Sequence, residues 1–160
     1  MNHGYSLAFV AALAVGCATA QDGKPAPAKA DCTPAPKQLV TRDITTGTGP
    51  DIALRSVILV GYTGWLYDPC AKDFKGAQFD TSDGRATPFG LIVGTGRVIK
   101  GWDEGVIGMK QGGKRMLIIP PDKAYGERSP TPKIPPNSTL VFEVSIIQII
   151  GNAPPPAPPK

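Results

Sequence analysis

Histidine and cysteine carry much of the nucleophilic and metal chemistry of proteins, and this chain holds few of either. The only histidine is His3, and the cysteines are Cys17, Cys32 and Cys70. Because His3 falls in a segment that we expect to be removed, the processed protein is predicted to contain no histidine. That prediction excludes a Ser-His-Asp triad, a Cys-His pair and an imidazole metal ligand.

The start of the chain is typical of a secretory signal. Residues 7–20 are apolar and end in the small-residue sequence ATA, which favours cleavage after Ala20. A stretch of about 14 residues is shorter than the roughly 20 that span a bilayer, so no stable membrane span is predicted. A buried N-terminal helix is the structural alternative. Cys17, which closes the sequence AVGC, leaves a lipid-anchored product as a second processing route.

We interpret the chain as exported, to the periplasm or to the outside of the cell. Cleavage would leave Cys32 and Cys70, which are separated by 37 residues. Two cysteines in an exported chain suggest one disulfide, and two unpaired thiols are the alternative.

Composition defines the rest of the chain as one domain with two flanks. Glycine supplies 19 residues and proline 18, roughly twice their usual share, which excludes a long helical bundle. Residues 21–36 are predicted to be an Ala/Pro-rich linker and residues 152–160 a proline-rich tail, which leaves residues 37–151 as the folded unit. The net charge of +4 without a basic stripe argues against a nucleic-acid partner.

The folded unit contains several predicted strands and one predicted helix. Strand patterns cover residues 38–45, 56–65, 114–119 and 139–150. A helical spacing of apolar residues begins at Ile99 and continues at Trp102, Val106 and Met109. We predict an α+β domain in which an antiparallel sheet covers the helix. Residues 120–138 form a long loop without periodicity, and loops of this length are usually functional.

Short motifs follow one another along this unit: Tyr62-Thr63-Gly64, Phe79-Asp80, Pro88-Phe89, VIKGW at residues 98–102, Ala124-Tyr125-Gly126, IPPN at residues 134–137 and Leu140-Val141-Phe142. Their order and spacing resemble the FK506-binding protein family of peptidyl-prolyl cis-trans isomerases, in the form of an exported, bacterial-like, single-domain member. The resemblance covers about residues 37–150. It implies a five- or six-stranded antiparallel sheet wrapped around one short helix, with a proline pocket between them.

The same resemblance implies a role for individual residues. Trp102 matches the pocket floor, and Asp80 matches a buried carboxylate whose partner is Arg85. The hydroxyl of Tyr125 and the backbone N–H of Ile99 match donors to two ligand carbonyls. The apolar lining is matched by Tyr62, Phe79, Phe89, Val98, Ile99, Trp102, Tyr125, Ile134 and Phe142.

The sequence departs from the family pattern at Pro130 and Lys133, which we expect at the pocket rim, and in the longer segment at residues 66–78. The predicted function is peptidyl-prolyl isomerisation during the folding of exported proteins. The alternative is a binding module or chaperone that holds proline-containing segments with little or no turnover. Because isomerisation breaks no bond, neither a metal nor a cofactor is expected. Expected partners are proline-containing unfolded chains and macrolides such as FK506 or rapamycin, and the protein is expected to be monomeric.

Overall fold

The computed structural model describes residues 32–152. The predicted signal segment, most of the predicted linker and the tail after Asn152 lie outside the described residues. The strands are β1 (Val40–Thr45), β2 (Ser56–Tyr67), β3 (Lys75–Thr81), β4 (Phe89–Ile92), β5 (Lys114–Ile119) and β6 (Leu140–Asn152), and the helix is α1 (Lys100–Gly105).

The strands form a six-stranded sheet in the order β1-β5-β6-β2-β3, and β4 also pairs with β2. All of these pairs are antiparallel. The predicted fold, an antiparallel sheet with one short helix, is therefore confirmed across the described residues. Two short 3-10 turns, Lys72–Phe74 and Pro121–Lys123, lie in the connections.

The central strand β6 follows the alternation of its sequence. Leu140, Phe142, Val144 and Ile146 are all buried in the main core, as their period of two predicts. This face of the sheet packs against α1 and leaves room for a cavity beside the helix.

Helix α1 is shorter than the apolar spacing predicts. Trp102, Val106 and Met109 are all buried, so the predicted face is confirmed. The helix nevertheless ends at Gly105, and Gly108 has a φ of 75°, a left-handed conformation that a continuing helix excludes. Packing on the sheet, rather than local preference, therefore holds this single turn and a half.

The opposite face of the sheet carries a second, smaller cluster. Met116, Ile118 and Val141 are buried there, covered by Trp65, Tyr67 and Phe74. The longer segment at residues 66–78 therefore supplies part of the cover for this face.

The N-terminal end of the described chain is attached to this segment. Cys32 and Cys70 are joined by a disulfide, with their Cα atoms 4.6 Å apart. The hydroxyl of Tyr67 donates a hydrogen bond to the carbonyl of Thr33, at 2.8 Å, and the N–H of Thr33 donates to the carbonyl of Pro69. The last residues of the predicted linker thus lie against the domain. Between Cys32 and Asn152, no helix is long and apolar enough to cross a bilayer.

Candidate functional site

A cavity of about 620 Å³ lies between α1 and the inner face of the sheet, a size suited to a small ligand or a peptide segment. Strands β2, β3, β4 and β6, helix α1 and two loops all contribute to its wall. The lining residues are Tyr62, Phe79, Asp80, Phe89, Gly96, Arg97, Val98, Ile99, Lys100, Trp102, Ala124, Tyr125 and Phe142.

The floor of the cavity is Trp102, whose side chain is only 4% exposed. The rings of Tyr62, Phe142 and Phe89 stand edge-on to its indole, with centroid distances of 5.3, 5.3 and 6.1 Å. Edge-to-face contacts of this kind hold aromatic rings in fixed orientations. The result is a rigid apolar box that is open on one side.

A glycine on β2 allows this box to close. A Cβ at Gly64 would lie 2.7 Å from ring atoms of both Phe79 and Phe142. Those two rings contact each other edge-on, at 5.4 Å between centroids. Gly64 in the Tyr-Thr-Gly motif is therefore required for the two walls to meet above the strand.

One carboxylate is fixed at the edge of the box by three donors. The Tyr62 hydroxyl donates to Oδ2 of Asp80 at 2.7 Å, while Arg85 and the backbone N–H of Thr81 donate to Oδ1 at 2.6 and 2.9 Å. The predicted pairing of Asp80 with Arg85 is present. The predicted burial of Asp80 is wrong, because its side chain is 42% exposed. The carboxylate lies at the β3 edge of the sheet, where Arg85 pairs with it at the surface.

The two tyrosines of the cavity differ in what their hydroxyls contact. The Tyr62 hydroxyl is bound to Asp80, and burial together with this hydrogen bond raises the pKa of Tyr62 to about 12. Burial, aided by the negative charge of Asp80, also raises the pKa of Tyr125 above its ordinary value. Within the described part of the chain, the Tyr125 hydroxyl and the Ile99 N–H have no hydrogen-bond partner. These two donors are available to a ligand.

The loop before α1 is held by a residue that the sequence analysis did not single out. The N–H groups of Gly94 and Gly96 donate to the two carboxylate oxygens of Asp103, at 2.8 and 2.9 Å. Asp103 follows Trp102 directly, so the helix and the loop that lines the cavity are tied together. This contact could have been predicted from Gly94 and Gly96, the turn glycines that precede the VIKGW motif.

Nearly all of the predicted site residues line the cavity. Ile134 and Arg85 are the two predicted site residues that do not. Ile134 is not part of the cavity wall, because its side chain is 4% exposed and packs in the main core. Arg85 contacts the site through Asp80 and through the face of the Tyr62 ring, 5.8 Å from its centroid. Pro130 and Lys133 are exposed and do not line the cavity.

The cavity wall also contains residues that sequence reasoning missed, namely Gly96, Arg97, Lys100 and Ala124. All four are neighbours of predicted residues along the chain, which is the signal that could have found them. Among residues 32–152, no group of three or more His, Cys, Asp or Glu side chains could hold a metal ion.

The described residues thus form an aromatic cavity, with two unpartnered donors at Tyr125 and Ile99, between an antiparallel sheet and one short helix. The sequence model of the FKBP-type peptidyl-prolyl cis-trans isomerases matches residues 50–147. The chain belongs to this family, whose members catalyse rotation about the peptide bond that precedes proline.

Several relatives are similar to this chain over 93 to 111 residues. FK506-binding protein 1 of Aspergillus oryzae is 49% identical over 110 residues, covering 66% of this chain and 93% of the relative. An FK506-binding protein of Neisseria meningitidis is 43% identical over 111 residues, covering 69% of this chain and 95% of the relative. The mouse peptidyl-prolyl cis-trans isomerase FKBP2 is 48% identical over 93 residues, covering 58% of this chain and 61% of the relative.

The pKa of Tyr62 gives a testable dependence of stability on pH. The fold favours the neutral phenol, so this contribution to stability is complete below the unfolded value of 10.0 and is lost as the pH rises towards about 12. We expect the free energy of unfolding, measured by urea titration, to fall over this interval. The fall should be smaller in Tyr62→Phe, because phenylalanine has no proton to lose.

The comparison of two variants separates this effect from general alkaline destabilisation. Tyr67→Phe is the comparison variant, because Tyr67 lies on the opposite face of the sheet, outside the cavity. Burial raises the pKa of Tyr67 as well, but less than that of Tyr62, so Tyr67→Phe should reduce the alkaline fall by a smaller amount than Tyr62→Phe. An alkaline fall of equal size in the wild type and in Tyr62→Phe would contradict the assignment.

Proposed function

We propose that this isomerase acts on proline-containing segments of proteins that fold after export, with the cavity binding the proline ring against Trp102. The observation that carries the proposal is the aromatic box beside two donors, the Tyr125 hydroxyl and the Ile99 N–H, that have no partner among the described residues. Those donors would hold the carbonyls on either side of the prolyl ring.

The chemistry that such a site must perform is rotation about one bond. The planar amide is stabilised by resonance, and its barrier to rotation is about 18–20 kcal/mol. Resonance separates charge, and the twisted transition state loses that separation. An apolar wall therefore favours the twisted form relative to the planar one. Binding the transition state more tightly than the ground state is what increases the rate, so the reaction needs no nucleophile.

The polar groups supply orientation. Asp80 is held by Tyr62, Arg85 and the Thr81 N–H, so its carboxylate is fixed at the cavity wall, where it would contact the twisting imide. A tyrosine hydroxyl is protonated at neutral pH and can donate, and burial moves the pKa of Tyr125 further above its ordinary value. A fixed donor loses little entropy on binding, which supports its role in positioning.

The proposal extends to the ligands of this protein and to its cellular location. The relatives in Aspergillus and Neisseria are named as FK506-binding proteins, and the 49% and 43% identity of this chain to them supports macrolide binding by this chain as well. We propose a monomeric, exported protein with a signal segment at residues 1–20, a linker at 21–36, the isomerase domain at 37–151 and a tail at 152–160. The Cys32–Cys70 disulfide supports export, since such bonds persist in oxidising compartments. The intact mass of the mature protein would distinguish a start at Gln21 from a lipidated Cys17.

The catalytic assignment is tested with Tyr125→Phe and Asp80→Val on a proline tetrapeptide. Each variant removes a polar contact, and we expect kcat/KM to fall about three- to tenfold in each. Lys72→Gln, in the segment that covers the other face of the sheet, is the control and should leave turnover unchanged. Wild-type turnover in both site variants would contradict the polar roles. Binding of FK506 without any rate enhancement by the wild type would instead favour a binding module.

A further inference from the structure

Two cations on the cavity wall have no counter-ion. Arg97 and Lys100 line the cavity and are exposed, and neither forms an ion pair or a side-chain hydrogen bond within residues 32–152. The acidic residues around them are already engaged. Asp80 is paired with Arg85, and Glu104 with Lys123.

The carboxylate between the loop and the helix is also engaged. Both oxygens of Asp103 accept hydrogen bonds from the Gly94 and Gly96 N–H groups. Asp122 and Glu127, in the loop that follows β5, do not contribute to the cavity wall. Asp103 keeps its negative charge, because its partners are neutral N–H groups, but it does not line the cavity. Among the described residues, the cavity wall therefore carries two cations without an ion-pair partner against one carboxylate, Asp80, which Arg85 already pairs.

The two cations lie next to the main-chain donor of the site. Arg97 and Lys100 flank Val98 and Ile99 in sequence, and the Ile99 N–H is the group that would bind a substrate carbonyl. A substrate carbonyl bound by the Ile99 N–H would therefore place a residue beside the proline near one or both cations. Arginine and lysine side chains are long enough to reach an acidic group on that residue or on its neighbour.

We propose that Arg97 and Lys100 determine substrate specificity and select segments that carry Asp or Glu within two residues of the proline. This inference rests on the proposed function, since it assigns a substrate class to the same cavity. Charge complementarity at the rim of a site increases specificity and association rate more than it increases intrinsic affinity. The effect must be sensitive to salt, because the interacting charges are exposed.

The test compares peptides that differ only in the residue before proline, with Glu, Gln or Lys at that position, and a second set with the same three residues after proline. At about 0.05 M salt we expect the wild type to favour Glu over Gln by roughly three- to tenfold in kcat/KM, in at least one of the two sets. At about 1 M salt that ratio should approach one. The Lys peptide should be the poorest substrate of its set.

Variants assign the preference to the two residues. In the double variant R97Q/K100Q the ratio of Glu to Gln turnover should approach one, and in Arg97→Glu the order of the Glu and Lys peptides should reverse. Lys72→Gln removes one positive charge from the opposite face of the sheet and should keep the wild-type ratio. A preference that persists in R97Q/K100Q, or a wild type that does not distinguish Glu from Gln in either set, would overturn the inference.

The measurements separate this inference from the proposed function. Turnover of the neutral Gln peptide by the wild type tests isomerase activity, while the ratio between peptides tests selection. If the Gln peptide were bound but not isomerised, the dissociation constants of the same peptides would still show whether the carboxylate is selected.

Discussion

Replacing Trp102 by alanine is expected to lower the free energy of unfolding by about 3–5 kcal/mol and kcat/KM by about tenfold or more. Both losses have the same physical origin. The indole is buried at 4% exposure, and its ring contacts Tyr62, Phe89 and Phe142. Its removal leaves a hole beneath the cavity and frees three rings to reorient. Urea unfolding and a peptide assay, with turnover normalised to the folded fraction, measure the two effects.

The control must lose similar stability without losing the cavity floor. Ile58→Ala meets that condition, because Ile58 is fully buried in the same core but does not line the cavity. We expect a loss of about 2–5 kcal/mol with near wild-type turnover per folded molecule. Trp102→Phe should recover part of both losses, since a smaller ring still provides an apolar floor. Equal turnover per folded molecule in Trp102→Ala and Ile58→Ala would show that Trp102 is only a core residue.

The parts of the fold that were predictable from the sequence are those in which one strand or helix carries its own apolar period. Strand β6 alternates cleanly because one of its faces is buried along most of its length. Strands β3 and β4 were not predicted, because their sequences KGAQFDT and FGLI show no such alternation. Both pair with β2, so they become strands through hydrogen bonds to that neighbour rather than through their own composition.

The candidate site, like the fold, was predictable from the sequence only in part. The motifs predict which aromatic rings meet at Trp102, since ring type and order along the chain are visible in the sequence. They do not predict exposure, which depends on how neighbouring loops cover each side chain. For this reason two expectations drawn from the resemblance were wrong. Asp80 was expected to be buried and is half exposed, and Ile134 was expected at the cavity and lies in the core. Arg97 and Lys100 acquire significance only once the pairing of every nearby carboxylate is known.

A substitution with a comparably large effect concerns the contact between the helix and the sheet. A Cβ at Gly101 would lie 2.3 Å from Cγ2 of Ile119 and within 3.0 Å of two further atoms of the same side chain. Ile119 is fully buried on β5, so it has no space into which to move. We expect Gly101→Ala to lower the free energy of unfolding by about 2–3 kcal/mol, despite the better helix propensity of alanine.

The same change should reach the active site. Helix α1 must shift away from β5, and the neighbouring Trp102 and Ile99 shift with it. A displacement of about 1 Å can reduce turnover by up to about a hundredfold, so kcat/KM per folded molecule should fall at least several-fold. Gly105→Ala is the matched comparison, since its Cβ would lie 2.8 and 3.0 Å from the two Cδ atoms of Leu117 and 3.4 Å from its Cγ, a smaller overlap with an equally buried side chain. We expect a cost of about 1 kcal/mol there, because a leucine end adjusts more easily than the branched Cγ2 of Ile119.

A double-mutant cycle tests the cause rather than the size of the effect. Ile119→Ala alone should cost about 2–5 kcal/mol, because it leaves a cavity under the helix. In the combination of Gly101→Ala with Ile119→Ala, the added methyl occupies part of that space. The sum of the two single-variant losses in the free energy of unfolding should then exceed the loss in the double variant by about 0.5–3 kcal/mol. Turnover should partly recover. Strictly additive losses would mean that the two side chains do not compete for one space, and that Gly101 is required for backbone conformation rather than for the close approach of α1 to β5.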